Sequence, residues 1–226
     1  MPEQPILFLD GDTVAGLLDP AAIEAAVATA LIELSAGRTS SPPRIAPTVA
    51  ERGAQLLVMA AHLPASGALA TKTVAIFPAN AALGRPTRRA LIVLHAVDDG
   101  RTLAIIGAEQ ITAVRTAAAT APAMRHLARD DAAVLAVLGS GVQARAHLTA
   151  LSAAREFAEL RIAGRSEAHR EALVAAVEHE LNVPVVACHC FEEAVSNADV
   201  VCLATHAAEP LLSSSCSPGR GPGAVT

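Results

Sequence analysis

Residues 132–144 read Ala-Ala-Val-Leu-Ala-Val-Leu-Gly-Ser-Gly-Val-Gln-Ala, and this stretch decides the fold. Ala132–Leu138 is an apolar run with the length of a buried strand. Gly139-Ser140-Gly141 breaks it, and Val142–Ala154 continues with helical spacing. Gly139-Ser140-Gly141-Val142-Gln143-Ala144 therefore fits the G-x-G-x-x-G/A dinucleotide fingerprint in its required setting, after a strand and at the opening of a helix. The first glycine allows the tight turn. The second lets the backbone approach a pyrophosphate, and the small Ala144 lets helix and strand pack closely. The helix start contributes free N–H groups and a positive dipole end.

Downstream the pattern alternates. Glu159–Ala163 reads as a strand, Ser166–Leu181 as a helix, Pro184–Ala187 as a strand, Phe191–Ser196 as a short helix and Val200–Ala204 as a strand. This βαβαβ succession predicts a parallel sheet with right-handed crossovers. The end of the second strand bears on which dinucleotide binds. NAD sites usually carry an acid there that bonds the ribose 2′-hydroxyl. This chain has Gly164-Arg165-Ser166. An Arg matches a 2′-phosphate and a Ser adds a hydrogen bond, which favours NADP(H) over NAD(H). Two alternatives remain: Glu167 takes the ribose role, or Arg165 is only a solvated side chain.

Upstream, Asp19-Pro20 opens a helix with Ile23, Val27, Ala30, Leu31 and Leu34 at helical spacing, and Gly37 ends it. Gln55–Ala60, Ala70–Phe77, Arg89–Val97 and Thr102–Ile106 read as strands, with Asp98-Asp99-Gly100-Arg101 as a turn. Glu109 to about Leu127 reads as a helix with a kink or break at Pro122. Ile111, Arg115 and Ala119 share one of its faces. Of 17 basic residues, 16 are Arg and one is Lys72. Alternation puts Lys72 on the same face as Val74 and Ile76. A lysine there can shift its pKa and transfer a proton, as an arginine effectively cannot. The competing reading is a chance surface lysine.

Composition limits the function classes. At about 100–200 residues per domain, 226 residues make one large or two small domains. Hydrophobic residues are 52% and charged residues 17%, which excludes disorder for most of the chain. Aromatics are 2% and the net charge is -5, so neither base stacking nor phosphate-backbone binding is expected and nucleic acid is not a partner. No apolar run reaches the roughly 18–20 residues of a membrane span, and Met1-Pro2-Glu3-Gln4 lacks the basic start of a signal peptide. A cytoplasmic protein without a membrane partner is expected. The four cysteines are too few for a disulfide scaffold. Cys188-His189-Cys190 resembles a metal cluster but lacks a second ligand pair, so no metal is expected. Of the scattered His62, His95, His126, His147 and His206, only His206 falls at a strand end on the expected cofactor side. Residues 213–226, rich in Ser, Gly and Pro, read as a disordered tail.

Several of these segments together resemble the ornithine cyclodeaminase/mu-crystallin family. They are Pro43-Arg44, Ala70-Thr71-Lys72-Thr73, Ile111-Thr112-Ala113-Val114-Arg115-Thr116-Ala117-Ala118, the glycine fingerprint, and Thr205 followed by Glu209-Pro210. The resemblance covers about Leu7 to Leu212. It implies an α/β chain: an N-terminal α+β substrate-binding and dimerisation domain, here 1–125, and a Rossmann-type parallel-sheet nucleotide domain, of which 126–212 is the first half. It also implies a homodimer and a longer chain, so that the 213–226 tail is read as the mark of a frameshift or premature stop. By resemblance, Arg44, Lys72 and Arg115 line the pocket of a small amino- or imino-acid substrate. Thr87, Arg88, Thr116, Gly139, Ser140, Gly141, Val142, Gln143, Ala144, Gly164, Arg165, Ser166 and Thr205 serve the nucleotide. The chemistry agrees: two guanidinium forks suit a carboxylate, and Lys72 suits proton donation. The activity implied is NAD(P)H-dependent reduction of cyclic imino acids, of the Δ1-pyrroline-2-carboxylate or ketimine type. Ornithine cyclodeamination, alanine dehydrogenation, and a ligand-binding or inactive mu-crystallin-like protein are the alternatives.

Overall fold

The computed structural model describes residues 5–205, 207 and 209–212. His206 and the expected tail at 213–226 lie outside the described residues. The chain divides into two compact units, Met1–Thr112 and Ala113–Thr226. The division falls inside a helix, ahead of the boundary at 125 expected from sequence. The physical reason is that Ala121 and Met124 of that helix belong to the core of the second unit.

The first unit carries β1 (Leu7–Leu9), α1 (Gly11–Leu17), α2 (Pro20–Ser35), β2 (Thr48–Val49), β3 (Ala54–Leu63), β4 (Ala68–Ile76), β5 (Arg88–His95) and β6 (Thr102–Gly107). The strands form one sheet in the order β1-β6-β5-β4-β3-β2. Neighbours run antiparallel except for β1, which pairs parallel with β6. Asp19 caps α2 by accepting the Ala21 N–H, and Pro20 takes the first turn, where its missing N–H costs nothing. β3 and β4 run further than the expected Gln55–Ala60 and Ala70–Phe77, extending toward each other. A short turn at Pro64–Ser66 joins them, closed by Gly67 at φ +58°. The expected turn before β6 is present, with the Arg101 N–H donating to Asp99 Oδ1 at 3.0 Å.

The second unit begins within α3 (Glu109–Leu127). It continues through β7 (Val134–Leu138), α4 (Val142–Ala154), β8 (Glu159–Ala163), α5 (Glu167–Leu181), β9 (Val185–Cys188), α6 (Phe191–Val195) and β10 (Val200–Leu203). All sheet pairs are parallel, in the order β10-β7-β8-β9. The core is made by Leu135, Val137, Leu148, Leu151, Leu160 and Ile162, all fully buried. Each such side chain contributes about 1.5–3 kcal/mol by leaving water. α3 runs through Pro122 without the expected break. Proline removes one backbone bond, but Ala117, Ala118, Ala121 and Met124 bury this stretch and hold it helical.

Candidate nucleotide site and the Lys72 face

The strand order reverses direction between β7 and β10, so a crevice opens at their carboxyl ends. Gly139 follows β7 and sits against the end of β10. Its φ is +137°, and a Cβ there would stand 2.3 Å from the Ala204 carbonyl oxygen. Only glycine fits. Two bonds lock this corner: Gly139 N–H to Ala163 O at 2.7 Å and Ala204 N–H to Leu138 O at 2.8 Å. Ser140 lies against Gly164, whose missing Cβ would meet Ser140 Oγ at 2.9 Å.

Gly141 is the N-cap of α4, has no side-chain cap, and has nothing within 4 Å of the place a Cβ would fill. No side chain therefore caps the first N–H groups of α4. Val142 is exposed, Ala144 is fully buried against the core, and Gln143 Oε1 is buried with no hydrogen-bond partner. This cradle fits a dinucleotide pyrophosphate: close backbone approach, unpaired donors and the positive end of a helix dipole. Thr205, exposed just past β10, accepts the Ala207 N–H at 3.2 Å.

Beyond β8, a cavity of about 420 Å³ is lined by Gly164, Arg165, Glu167, Arg170, His189, Cys190, Phe191 and Glu192. Arg165 is exposed. Ser166 caps α5 by accepting the His169 N–H at 3.3 Å, and its hydroxyl proton stays available to donate. Arg170 is buried among the apolar residues of α5, a position the sequence reading did not single out. Its signal was legible: Arg170, Leu173 and Val177 follow helical spacing, so a charge interrupts an apolar stripe. Cys188 ends β9, where burial, with the Glu193 carboxylate adding, pushes its thiol up to about 11. Cys190 caps α6 by accepting the Glu193 N–H at 3.4 Å. Among the described residues no three His, Cys, Asp or Glu side chains gather as a metal site.

In the first unit, Lys72 lies half-buried in β4, opposite Met59 of β3 and Ile92 of β5. These two residues pack against the cluster of Val74, Ala90 and Ala108. Lys72 Nζ donates to Thr112 Oγ1 at 2.7 Å, and that hydroxyl donates to Ala108 O at 2.6 Å. The chain of donors fixes the ammonium on the apolar face. Arg44 is exposed beside Ile45, which bridges to Val58 of β3. Thr87 accepts the Phe77 N–H at 2.8 Å, and Arg88 opens β5 with its side chain exposed. Arg115 and Thr116 lie on α3 within the second unit, the first exposed and the second half-buried.

A model of the ornithine cyclodeaminase/mu-crystallin family matches residues 8–219. The chain belongs to this family. It is 30% identical to the Δ1-pyrroline-2-carboxylate reductase of Bacillus cereus over 192 residues, which are 85% of this chain and 59% of that one. It is 34% identical to the ketimine reductase mu-crystallin of Rattus norvegicus over 176 residues, 78% of this chain and 55% of that one. The solved Δ1-pyrroline-2-carboxylate reductase of Thermococcus litoralis, in complex with NADH and L-proline, superposes with a TM-score of 0.88. That match has 29% identity and covers 92% of this chain and 64% of that one. The ornithine cyclodeaminase/mu-crystallin chain described here thus spans about three-fifths of the length of these relatives. The mixed α/β architecture with a Rossmann-like parallel sheet agrees with the resemblance. No single helix among the described residues is long and apolar enough to cross a membrane.

Proposed function

We propose that this chain is an NADP(H)-dependent reductase of cyclic α-imino acids, of the type that converts Δ1-pyrroline-2-carboxylate to proline. The observation that carries the reading is Lys72, the chain's lone lysine, held on an apolar sheet face by Thr112. Reduction of C=N needs a hydride at carbon and a proton at nitrogen. The bound cofactor supplies the hydride. Lys72 Nζ supplies the proton to the nitrogen as the π electrons move there, its ammonium being a positioned general acid. Arg44 and Arg115 are the substrate-binding cations of this reading, each with a guanidinium fork that matches a planar carboxylate.

Gly139, Ser140, Gly141, Val142, Gln143 and Ala144 hold the pyrophosphate, and Thr87, Arg88, Thr116 and Thr205 are further nucleotide residues of this reading. Arg165 and Ser166, with Gly164 leaving room, take a 2′-phosphate, and this supports NADP(H) over NAD(H). A homodimer fits the apolar surface of the first unit, where Phe8, Ile32 and Ile45 are each more than 60% exposed. The relatives named as reductases of this imine and of ketimines favour this reading over ornithine cyclodeamination.

The test is loss of NADPH absorbance with Δ1-pyrroline-2-carboxylate and appearance of proline. Turnover that disappears in Lys72→Met supports the proposal. Ammonia release from ornithine without net NADPH consumption would replace it with cyclodeamination.

A further inference from the structure

Arg170 is 5% exposed, yet its hydrogen-bonding capacity is almost unused. Its Nη1 donates to Gly164 O at a long 3.4 Å. Its Nη2 stands 3.7 Å from Glu167 Oε1, on a carboxylate whose side chain is 72% exposed. Its Nε is buried with no hydrogen-bond partner. A guanidinium has five N–H donors, and a buried one left this short of acceptors is costly unless an anion completes the set. The same guanidinium lines the 420 Å³ cavity beside Arg165. The cavity lies at the carboxyl end of β8, where the dinucleotide fold places the adenosine ribose.

We propose that Arg170 is a second specificity-determining cation for the cofactor's ribose 2′-phosphate, set beneath Arg165. Its Nη groups, held by one long bond and one distant carboxylate, meet the phosphate from a position already fixed by burial, whereas exposed Arg165 is ordered on binding. The inference rests on the NADP(H) reading above and adds a residue to it.

The experiment measures dissociation constants of NADPH and NADH for the intact chain, Arg165→Ala, Arg170→Ala and Arg170→Lys, by cofactor fluorescence. Competition by adenosine 2′-monophosphate is read in parallel. Arg170→Ala is expected to weaken NADPH by about ten- to hundredfold, the worth of a charge-assisted contact, and to leave NADH within about twofold. Adenosine 2′-monophosphate should lose affinity in step with NADPH. Arg170→Lys, which keeps the charge and the buried stem, should recover part of the loss, and it serves as the readout if Arg170→Ala does not fold. An unchanged NADPH-to-NADH ratio in the Arg170 variants, or an equal loss of both cofactors, overturns the inference. If the ratio collapses in Arg165→Ala alone, NADP(H) preference stands and the role of Arg170 falls. If the unaltered chain binds NADH as tightly as NADPH, the underlying reading fails.

Discussion

Gly139→Ala and Gly141→Ala add the same methyl group two residues apart, and the structure predicts opposite consequences. At Gly139 the new Cβ would lie 2.3 Å from Ala204 O and 2.8 Å from Ala204 C, both backbone atoms that cannot swing away. The φ of +137° is also a region that side chains avoid. Such a backbone conformation costs about 1–3 kcal/mol and overpacking about 1–3 kcal/mol, so the variant should lose about 2–6 kcal/mol. Against the roughly 5–15 kcal/mol stability of an ordinary domain, that is a large fraction of what holds the second unit folded. At Gly141 the Cβ meets nothing within 4 Å and φ is -98°, so stability should change by less than about 0.5 kcal/mol. On the proposed reading the methyl would instead occupy the approach of a pyrophosphate, and nucleotide binding should fall by tenfold or more, about 1.4 kcal/mol. The chain has no Trp or Tyr, so urea unfolding is followed by far-ultraviolet circular dichroism, with cofactor fluorescence reporting binding. A Gly139→Ala variant of unaltered stability, or a Gly141→Ala variant of unaltered nucleotide affinity, would refute the reasoning.

Three further outcomes are expected. Asp199 is pushed up by partial burial, but the N–H groups of Ala133 and Val134 and the Arg129 guanidinium outweigh this and hold its carboxyl below the usual range. Its stabilisation is therefore full above the unfolded carboxyl value, near 3.9, and is lost as pH falls through the lower folded value. Asp199→Ala should cost about 2–3 kcal/mol at neutral pH and progressively less in acid, read from urea melts across pH. Burial pushes the thiols of Cys188 and Cys202 up to about 11, so both should resist alkylation at pH near 8 while exposed Cys190 labels. Because Cys190 lines the cavity after β8, NADPH should slow its labelling, as peptide mapping would reveal. Lys72→Met should lower kcat by about 10²–10⁴ while leaving the NADPH dissociation constant unchanged, in the steady-state and titration assays respectively.

What the sequence disclosed depended on how local the cause was. α3, α4 and β8 have the bounds their spacing predicts, because caps, glycines and apolar periodicity sit within a few residues. β1 and α1 lie outside the elements that local spacing predicts. Leu7–Leu9 is three residues long and exists as a strand only through parallel pairing with β6, far along the chain. α1 is seven residues, too short for periodicity to register, and its sole local signal is Asp10 accepting the Thr13 N–H. The extra lengths of β3 and β4 come from pairing Ala61, His62 and Leu63 with Ala70, Leu69 and Ala68, where no alternation marks them. In the candidate site Gly139 was legible because the tight turn the motif encodes needs its φ of +137° and its missing Cβ. Arg170 lies outside the glycine motif and the Gly164-Arg165-Ser166 segment. Its partnerless Nε is a property of packing and shows only in three dimensions.

On the proposed reading, the cradle after β7 and the cavity after β8 together select a 2′-phosphorylated dinucleotide. The most direct test is a side-by-side titration of the intact chain with NADPH and NADH, followed by cofactor fluorescence. The account predicts saturable binding of NADPH, at least tenfold tighter than NADH, a gap of about 1.4 kcal/mol. Binding of neither cofactor, or tighter binding of NADH, would contradict it.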